Sequence, residues 1–284
     1  MLSVAIGNYP HTRLLKERLA SSKDFTFVEV SPITKAFAQM VRQGTYDISE
    51  MALVTFLQAK AYGKPLVLIP AAVAARSQEI SLIKLARNDS IKGPADLKGK
   101  RIGVRAYSQT TGAWVRGILT ENFGIAPEQI RWTTFEDPHV AEYSDPPFAT
   151  RAKPGSALLD MLRGGELDAI IVGNDKPSDA DLADVYPDAE GAGREFSRKH
   201  GFVPVNHVIV AKQSLIDTRR DALMAFWDAV KAAWKDTPSA KDLPIGRAAI
   251  APSVRLALDY ISAQSMLPRP MTEADVWAGL PDGF

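Results

Sequence analysis

The chain has 284 residues, 46% hydrophobic and 24% charged, and its 34 basic and 33 acidic residues leave a formal charge of +1. That length suits two domains of roughly 100–200 residues each, with a sizeable core. Interspersed charge excludes the concentrated basic patch that nucleic acid or a membrane surface favours in a main partner, and the lack of cysteine excludes disulfides, thiolate metal sites and thiol catalysis.

Strand-like and helix-like segments alternate, as in α/β folds. Leu2–Ile6 reads as a strand, Thr12–Ala20 as a helix, Phe25–Val30 as a strand and Ile33–Arg42 as a helix. A short strand at Ile48–Met51, a helix over Leu53–Tyr62 and a buried strand at Leu66–Pro70 follow. Ser81–Ala86 and Arg101–Val104 read as strands, separated by a helical turn over Gly93–Lys100, and Thr110–Asn122 as a helix. Glu136–Pro154, rich in Pro and Asp, reads as a long loop. Ala157–Arg163 is a predicted helix, Leu167–Val172 a strand and Pro177–Tyr186 a polar excursion. Val203–Ala211 reads as a strand, then Ser214–Trp234 and Pro252–Met266 as helices. No basic leader and small-residue cleavage site flank Leu2–Ile6, and no apolar stretch approaches the roughly 18 residues of a spanning helix, so the expected compartment is the cytoplasm, with no membrane partner.

The phrases "DLKGKRIGV" and "LLDMLRGGELDAIIVG" each set a helical segment, a glycine stop and a buried strand in succession. Both resemble the bilobal type II periplasmic-binding-protein-like fold, an α/β fold of two mixed-sheet lobes around a central cleft. On that resemblance, residues 1–75 begin lobe one, 76–206 form lobe two, and 207–284 return to lobe one with C-terminal helices. Ligands of open α/β sheets bind beyond the carboxyl ends of strands, which singles out four segments.

The first, Gly7 to Thr12, carries Tyr9, His11 and Thr12 into a helix start; its polar groups can cap the helix or bind ligand. The second holds Ser49 and Glu50, the latter equally able to pair with a Lys or Arg. The third, Arg105 to Thr111, carries Arg105, Tyr107, Thr110 and Thr111 to a helix N-terminus, whose free N–H groups favour a carboxylate. Ser108 and Thr110 can instead serve only as caps, and Tyr9 and Tyr107 as half-buried wall residues. Arg116 lies opposite the apolar stripe of its helix and reads as a substrate-binding cation or as a solvated surface arginine, while Trp114 borders that stripe and reads as core or as ligand wall. The fourth segment ends in His207, a lone histidine on an apolar strand: ordinarily a core residue, here at the expected lobe junction. His11 is read at a loop tip, His139 and His200 in polar loops. The cluster of Glu136, Asp137, His139, Glu142 and Asp145 is irregularly spaced and reads as a solvated acidic loop, so no metal is expected. Phosphate loops, nucleophile elbows and paired-histidine motifs are absent from the sequence.

"GNYPHT", "YDISEMALVTFLQAKAYGKPLVLIP", "DLKGKRIGVRAYSQTTGAWVRGIL" with "FGIAPEQIRW", and "GFVPVNHVIV" together resemble the 4,5-dihydroxyphthalate decarboxylase family over roughly residues 4–210. Where that family carries an Arg-His pair, this chain has Arg76 and Ser77. The resemblance implies a cytoplasmic decarboxylase that protonates the ring carbon of a small aromatic or anionic carboxylate and releases CO2. The substrate's own hydroxyl supplies electron density, so no cofactor is required. His207 would donate the proton, with Glu50 or His11 polarising the hydroxyl. Arg105, Thr110 and Thr111 would hold carboxylate, and Tyr9, Tyr107 and Trp114 would line the ring. A homodimer is compatible with such an enzyme. The alternative is a non-catalytic solute-binding protein, of the transporter or sensor type, for the same class of ligand.

Overall fold

The computed structural model describes residues 1–173 and 176–284. Its contacts divide the chain into two compact units. Unit one comprises Met1–Ala75, Val205–Leu258 and Leu267–Phe284; unit two comprises Arg76–Pro204 and Asp259–Met266.

Unit one opens with β1 (Leu2–Ala5), α1 (Pro10–Leu19), β2 (Phe25–Phe27), α2 (Lys35–Gln43), β3 (Ile48–Ala52), α3 (Leu53–Ala61) and β4 (Leu66–Ala75). Unit two follows with β5 (Leu82–Leu85), β6 (Arg101–Val104), α4 (Thr110–Phe123), β7 (Arg131–Thr134), β8 (Ala149–Arg151), α5 (Leu158–Arg163), β9 (Ala169–Ile171), β10 (Leu182–Asp184) and α6 (Ala189–His200). The chain returns through β11 (Val205–Lys212), α7 (Leu215–Thr218), α8 (Arg220–Lys235), α9 (Arg247–Ala263) and α10 (Glu273–Trp277).

The sheet of unit one runs β2-β1-β3-β11-β4, with β11 antiparallel to both neighbours and the other pairs parallel. β3 and α3 form an almost unbroken buried run, as a central strand and the helix behind it require. β4 runs on past Pro70, the expected strand end, to Ala75. It can do so because it is an edge strand, where a missing N–H costs no ladder bond. Its free side is covered instead: Gly246 donates to the Pro70 carbonyl at 2.7 Å and Ala72 donates to Pro244 at 3.0 Å. In the β3–β11 register Glu50 lies opposite Ile209 and Ala52 opposite His207. Side chains alternate faces along a strand, so Glu50 and His207 share one face as diagonal neighbours.

The sheet of unit two runs β10-β5-β9-β6-β7-β8, with β5 the antiparallel strand. Ile83, Leu85, Leu162, Leu167, Ile170 and Val172 form a core cluster on it. Gly103 lets α5 approach β6: a Cβ there would stand 2.6 Å from methyls of Leu158 and Leu167.

Several elements depart from the sequence-based expectation. The region expected to be a loop, Glu136–Pro154, contributes β8, a short edge strand, and the polar excursion contributes β10. α6 was not anticipated; it is a largely polar segment whose buried residues are Ala189, Gly193 and Phe196. Its start is fixed by the Asp188 side chain, which accepts the Gly191 N–H at 2.7 Å. α9 begins before Pro252, five residues earlier than expected. The expected return segment, 207–284, gives up Asp259–Met266 to unit two. There Tyr260 occupies the space left by Gly117 on α4, and Gln264 and Met266 bond Arg116.

Candidate active site

Glu50 sits in the middle of a strand whose five residues are all buried, and is itself fully buried. An isolated carboxylate there would cost several kcal/mol, roughly what an uncompensated buried charge costs, so it needs donors. It has them: the Gly7 N–H donates to Oε2 at 2.9 Å, the Tyr9 hydroxyl donates to Oε1 at 3.0 Å, and His207 Nδ1 lies 2.6 Å from the same Oε1. With Glu50 as acceptor, the hydrogen on His207 is assigned to Nδ1, and Nε2 makes no hydrogen bond among the described residues. Phe37, on the buried face of α2, packs edge-on against the imidazole at 5.2 Å. Among the described residues Glu50 therefore pairs with neither a lysine nor an arginine; its ionisable partner is His207, which is 9% exposed.

The loop between β1 and α1 is built to present the two donors. A Cβ on Gly7 would stand 3.1 Å from Glu50 Oε2 and 2.8 Å from the Tyr9 ring, so only glycine lets this backbone come so near. Thr12 Oγ1 accepts the Tyr9 N–H at 2.8 Å and donates to the Gly7 carbonyl at 2.6 Å. Ser49 donates to the Glu50 carbonyl at 2.8 Å. Thr12 and Ser49 thus spend their hydroxyls on backbone and support the site, correcting the expectation that they meet the ligand.

His11 is also corrected. Pro10 at the first helical position starts α1 two residues earlier than expected, so His11 is a helical residue, 5% exposed, and not a loop tip. Its ring stacks parallel to Tyr9 at 5.6 Å and meets Trp234 edge-on at 4.4 Å. Burial lowers its pKa, outweighing the Val73 backbone bond and the Glu50 charge, and keeps it neutral near pH 7. Its Nε2 is buried with no partner among the described residues.

In unit two the third segment falls at the carboxyl end of β6 and the start of α4. Arg105 pairs with Glu136 at 3.3 Å and stays partly exposed. Thr110 and Thr111 open α4, which carries no side-chain cap, so neither Ser108 nor Thr110 acts as one. Arg76 donates to Thr111 Oγ1 at 3.0 Å. Three other candidates are interior. Tyr107 is fully buried, packed on Trp132 and Phe148; Trp114 is core, against Phe196, Phe202 and Tyr260. Arg116 is buried and not solvated, because Asp259–Met266 covers the face of α4 opposite the apolar stripe: it donates to Gln264 Oε1 and to the Tyr107 carbonyl, both at 2.7 Å. His200, expected in a polar loop, ends α6 on Phe196 and pairs with Glu121.

The sequence reading missed Phe37 and Trp234 and gave Arg76 no role, whereas it did pick out the segment that opens on Gly7. Phe37 and Trp234 occupy ordinary core positions of amphipathic helices, and nothing in their spacing sets them apart. Gly7, directly after a strand, was the readable signal. Among the described residues no group of three or more His, Asp and Glu side chains could hold a metal ion, and no helix is long and apolar enough to cross a membrane.

Residues 10–144 match the family model of the periplasmic substrate-binding proteins of phosphonate ABC transporters. A 4,5-dihydroxyphthalate decarboxylase of Pseudomonas putida is 32% identical over 213 residues, covering 69% of this chain and 81% of that protein. The enzyme of the same name from Comamonas testosteroni is 29% identical over 231 residues, 76% of this chain and 69% of that protein. Among solved structures, the periplasmic aliphatic sulphonate-binding protein of Escherichia coli aligns over 97% of this chain and 91% of its own, with a TM-score of 0.62 at 14% identity. That likeness shows the fold: an α/β, periplasmic-binding-protein-like architecture with two mixed sheets.

Proposed function

This chain belongs to the 4,5-dihydroxyphthalate decarboxylase family, and from that premise we propose that it decarboxylates a hydroxylated aromatic acid by protonating the ring carbon that bears the carboxylate. The observation that carries the reading is the buried Glu50–His207 pair, held by Tyr9 and the Gly7 N–H.

The chemistry needs a proton donor and an electron source. A ring hydroxyl of the substrate supplies the electrons. His207, as imidazolium, gives its Nε2 proton to the ring carbon. The bond from that carbon to the carboxylate then breaks, its electron pair restores the aromatic ring, CO2 leaves, and solvent returns a proton to the imidazole. Glu50 accepts the Nδ1 hydrogen and balances the imidazolium charge, as a carboxylate behind a catalytic histidine does. Because its side-chain bonds among the described residues go to Gly7, Tyr9 and His207, Glu50 acts through His207 and not on the substrate hydroxyl. Taken by itself, unit two carries a group suited to an anion: Arg105, Thr110, Thr111 and the N–H groups opening α4.

A second reading, a non-catalytic binder of a small anion, is favoured by one observation: the match of residues 10–144 to a solute-binding family. Incubation with 4,5-dihydroxyphthalate and with a panel of other aromatic mono- and dicarboxylates, following CO2 and the ring product, separates the two. Stoichiometric CO2 with one fewer carboxyl on the ring supports the enzyme. An acid that stabilises the protein thermally and is recovered unchanged supports the binder.

A further inference from the structure

We infer that Tyr9 is a positioning residue, which controls through Glu50 how firmly His207 holds its proton, and is not part of the wall around the substrate. The inference rests on the decarboxylase reading for its kinetic arm only.

Three observations carry it. The Tyr9 hydroxyl and His207 Nδ1 converge on one oxygen, Glu50 Oε1, at 3.0 and 2.6 Å, while the other oxygen takes the Gly7 N–H. Two donors on one oxygen divide its acceptor strength, so what Tyr9 takes is withheld from His207. The ring of Tyr9 is committed too, stacked parallel to His11 with 6° between planes. Finally, the loop is held independently of the phenol: Thr12 bonds the Tyr9 N–H and the Gly7 carbonyl. The hydroxyl can therefore be removed without releasing the loop.

The surroundings of His207 isolate the effect. β3 contributes Glu50 and the loop before α1 contributes Tyr9. α1 contributes His11, whose charge coupling is to Glu50, and α2 contributes the neutral edge of Phe37. Removing the Tyr9 hydroxyl concentrates the Glu50 charge on the Nδ1 hydrogen, and the imidazolium persists to higher pH.

The test uses the full chain with Tyr9→Phe and, as a second variant, Tyr9→Leu. The ring signals of the four histidines are followed by NMR through a pH titration, with His207→Ala to assign that of His207. Both Tyr9 variants should move the His207 midpoint upward by about 0.5–1 pH unit, the worth of one hydrogen bond to a charged network. In Tyr9→Phe the alkaline limb of CO2 release should move with it while KM stays within about twofold of native, a small free-energy change. An unmoved His207 midpoint with a raised KM would make Tyr9 a wall residue and overturn the inference; so would Phe and Leu variants that shift the midpoint in opposite directions. If the native chain releases no CO2 from any acid, the decarboxylase reading fails and the NMR titration alone decides the role of Tyr9.

Discussion

The two units bury a charge in opposite ways. In unit one, Glu50 is fully buried but faces a titratable partner, His207, with Tyr9 and Gly7 completing its bonds. In unit two, Arg116 is 1% exposed and its hydrogen bonds go to neutral groups: Gln264, the Tyr107 carbonyl and, at 3.4 Å, the Met266 sulfur. Its guanidinium lies 3.8 Å from the centre of the Tyr107 ring, and Nη1 has no hydrogen bond among the described residues. Burial works against that charge, yet an arginine has no accessible neutral form, so it stays a cation among dipoles and rings. A buried charge beside a group that can gain or lose a proton is equipped for chemistry. One whose hydrogen bonds all go to groups that cannot is a rivet, here between α4 and the Asp259–Met266 segment.

Substitutions that break the contrast should differ in kind. Glu50→Gln keeps the shape but takes the anion from behind His207, so kcat should fall by about 10²–10⁴-fold, the usual worth of a positioned acid–base group, with the unfolding midpoint little changed. Steady-state CO2 release and a denaturant melt check both halves. Arg116→Ala should do the reverse. It removes a large buried side chain and strands the acceptors on Gln264 and Tyr107 as well as the Met266 sulfur, lowering stability by about 3 kcal/mol without removing any group of the proposed chemistry; equilibrium denaturation reads the loss. Gly117→Ala attacks the same rivet from the other side. A Cβ there collides with the Tyr260 ring, and a loss of about 1–3 kcal/mol is expected from overpacking, again by denaturation.

The smallest effect belongs to Glu79 of unit two, a buried carboxyl whose pKa burial raises, against hydrogen bonds from the Glu79 and Gln78 N–H groups. The folded protein holds this proton to higher pH than the unfolded chain does. Its contribution to stability is therefore complete below the unfolded carboxyl's titration and is lost as pH rises through the folded one. Glu79→Gln should accordingly be more stable than native at neutral pH, with the advantage vanishing in acid, in melts compared at the two pH values.

The contrast also explains what could be read in advance. Glu50 was legible as a member of one of four strand-end segments, and the helix–glycine–strand phrases that end in β6 and β9 carried the fold. The pairing of Glu50 with His207 spans 157 positions; each residue is visible alone, but only the β3–β11 register makes them neighbours. Arg116 misled for the same reason. Periodicity places it opposite the apolar stripe of α4, and nothing local announces that a segment about 150 residues away, with Gln264 and Met266, will cover that face. His11 misled through one position, since Pro10 opens the helix and carries the imidazole indoors.

The most direct test of the central claim is CO2 release by His207→Ala, measured beside native protein on the same acid, with ligand affinity and the unfolding midpoint recorded for both. A folded variant that still binds the acid but releases no CO2 is the predicted result. Turnover at the native rate in that variant would contradict the assignment of His207 as the proton donor.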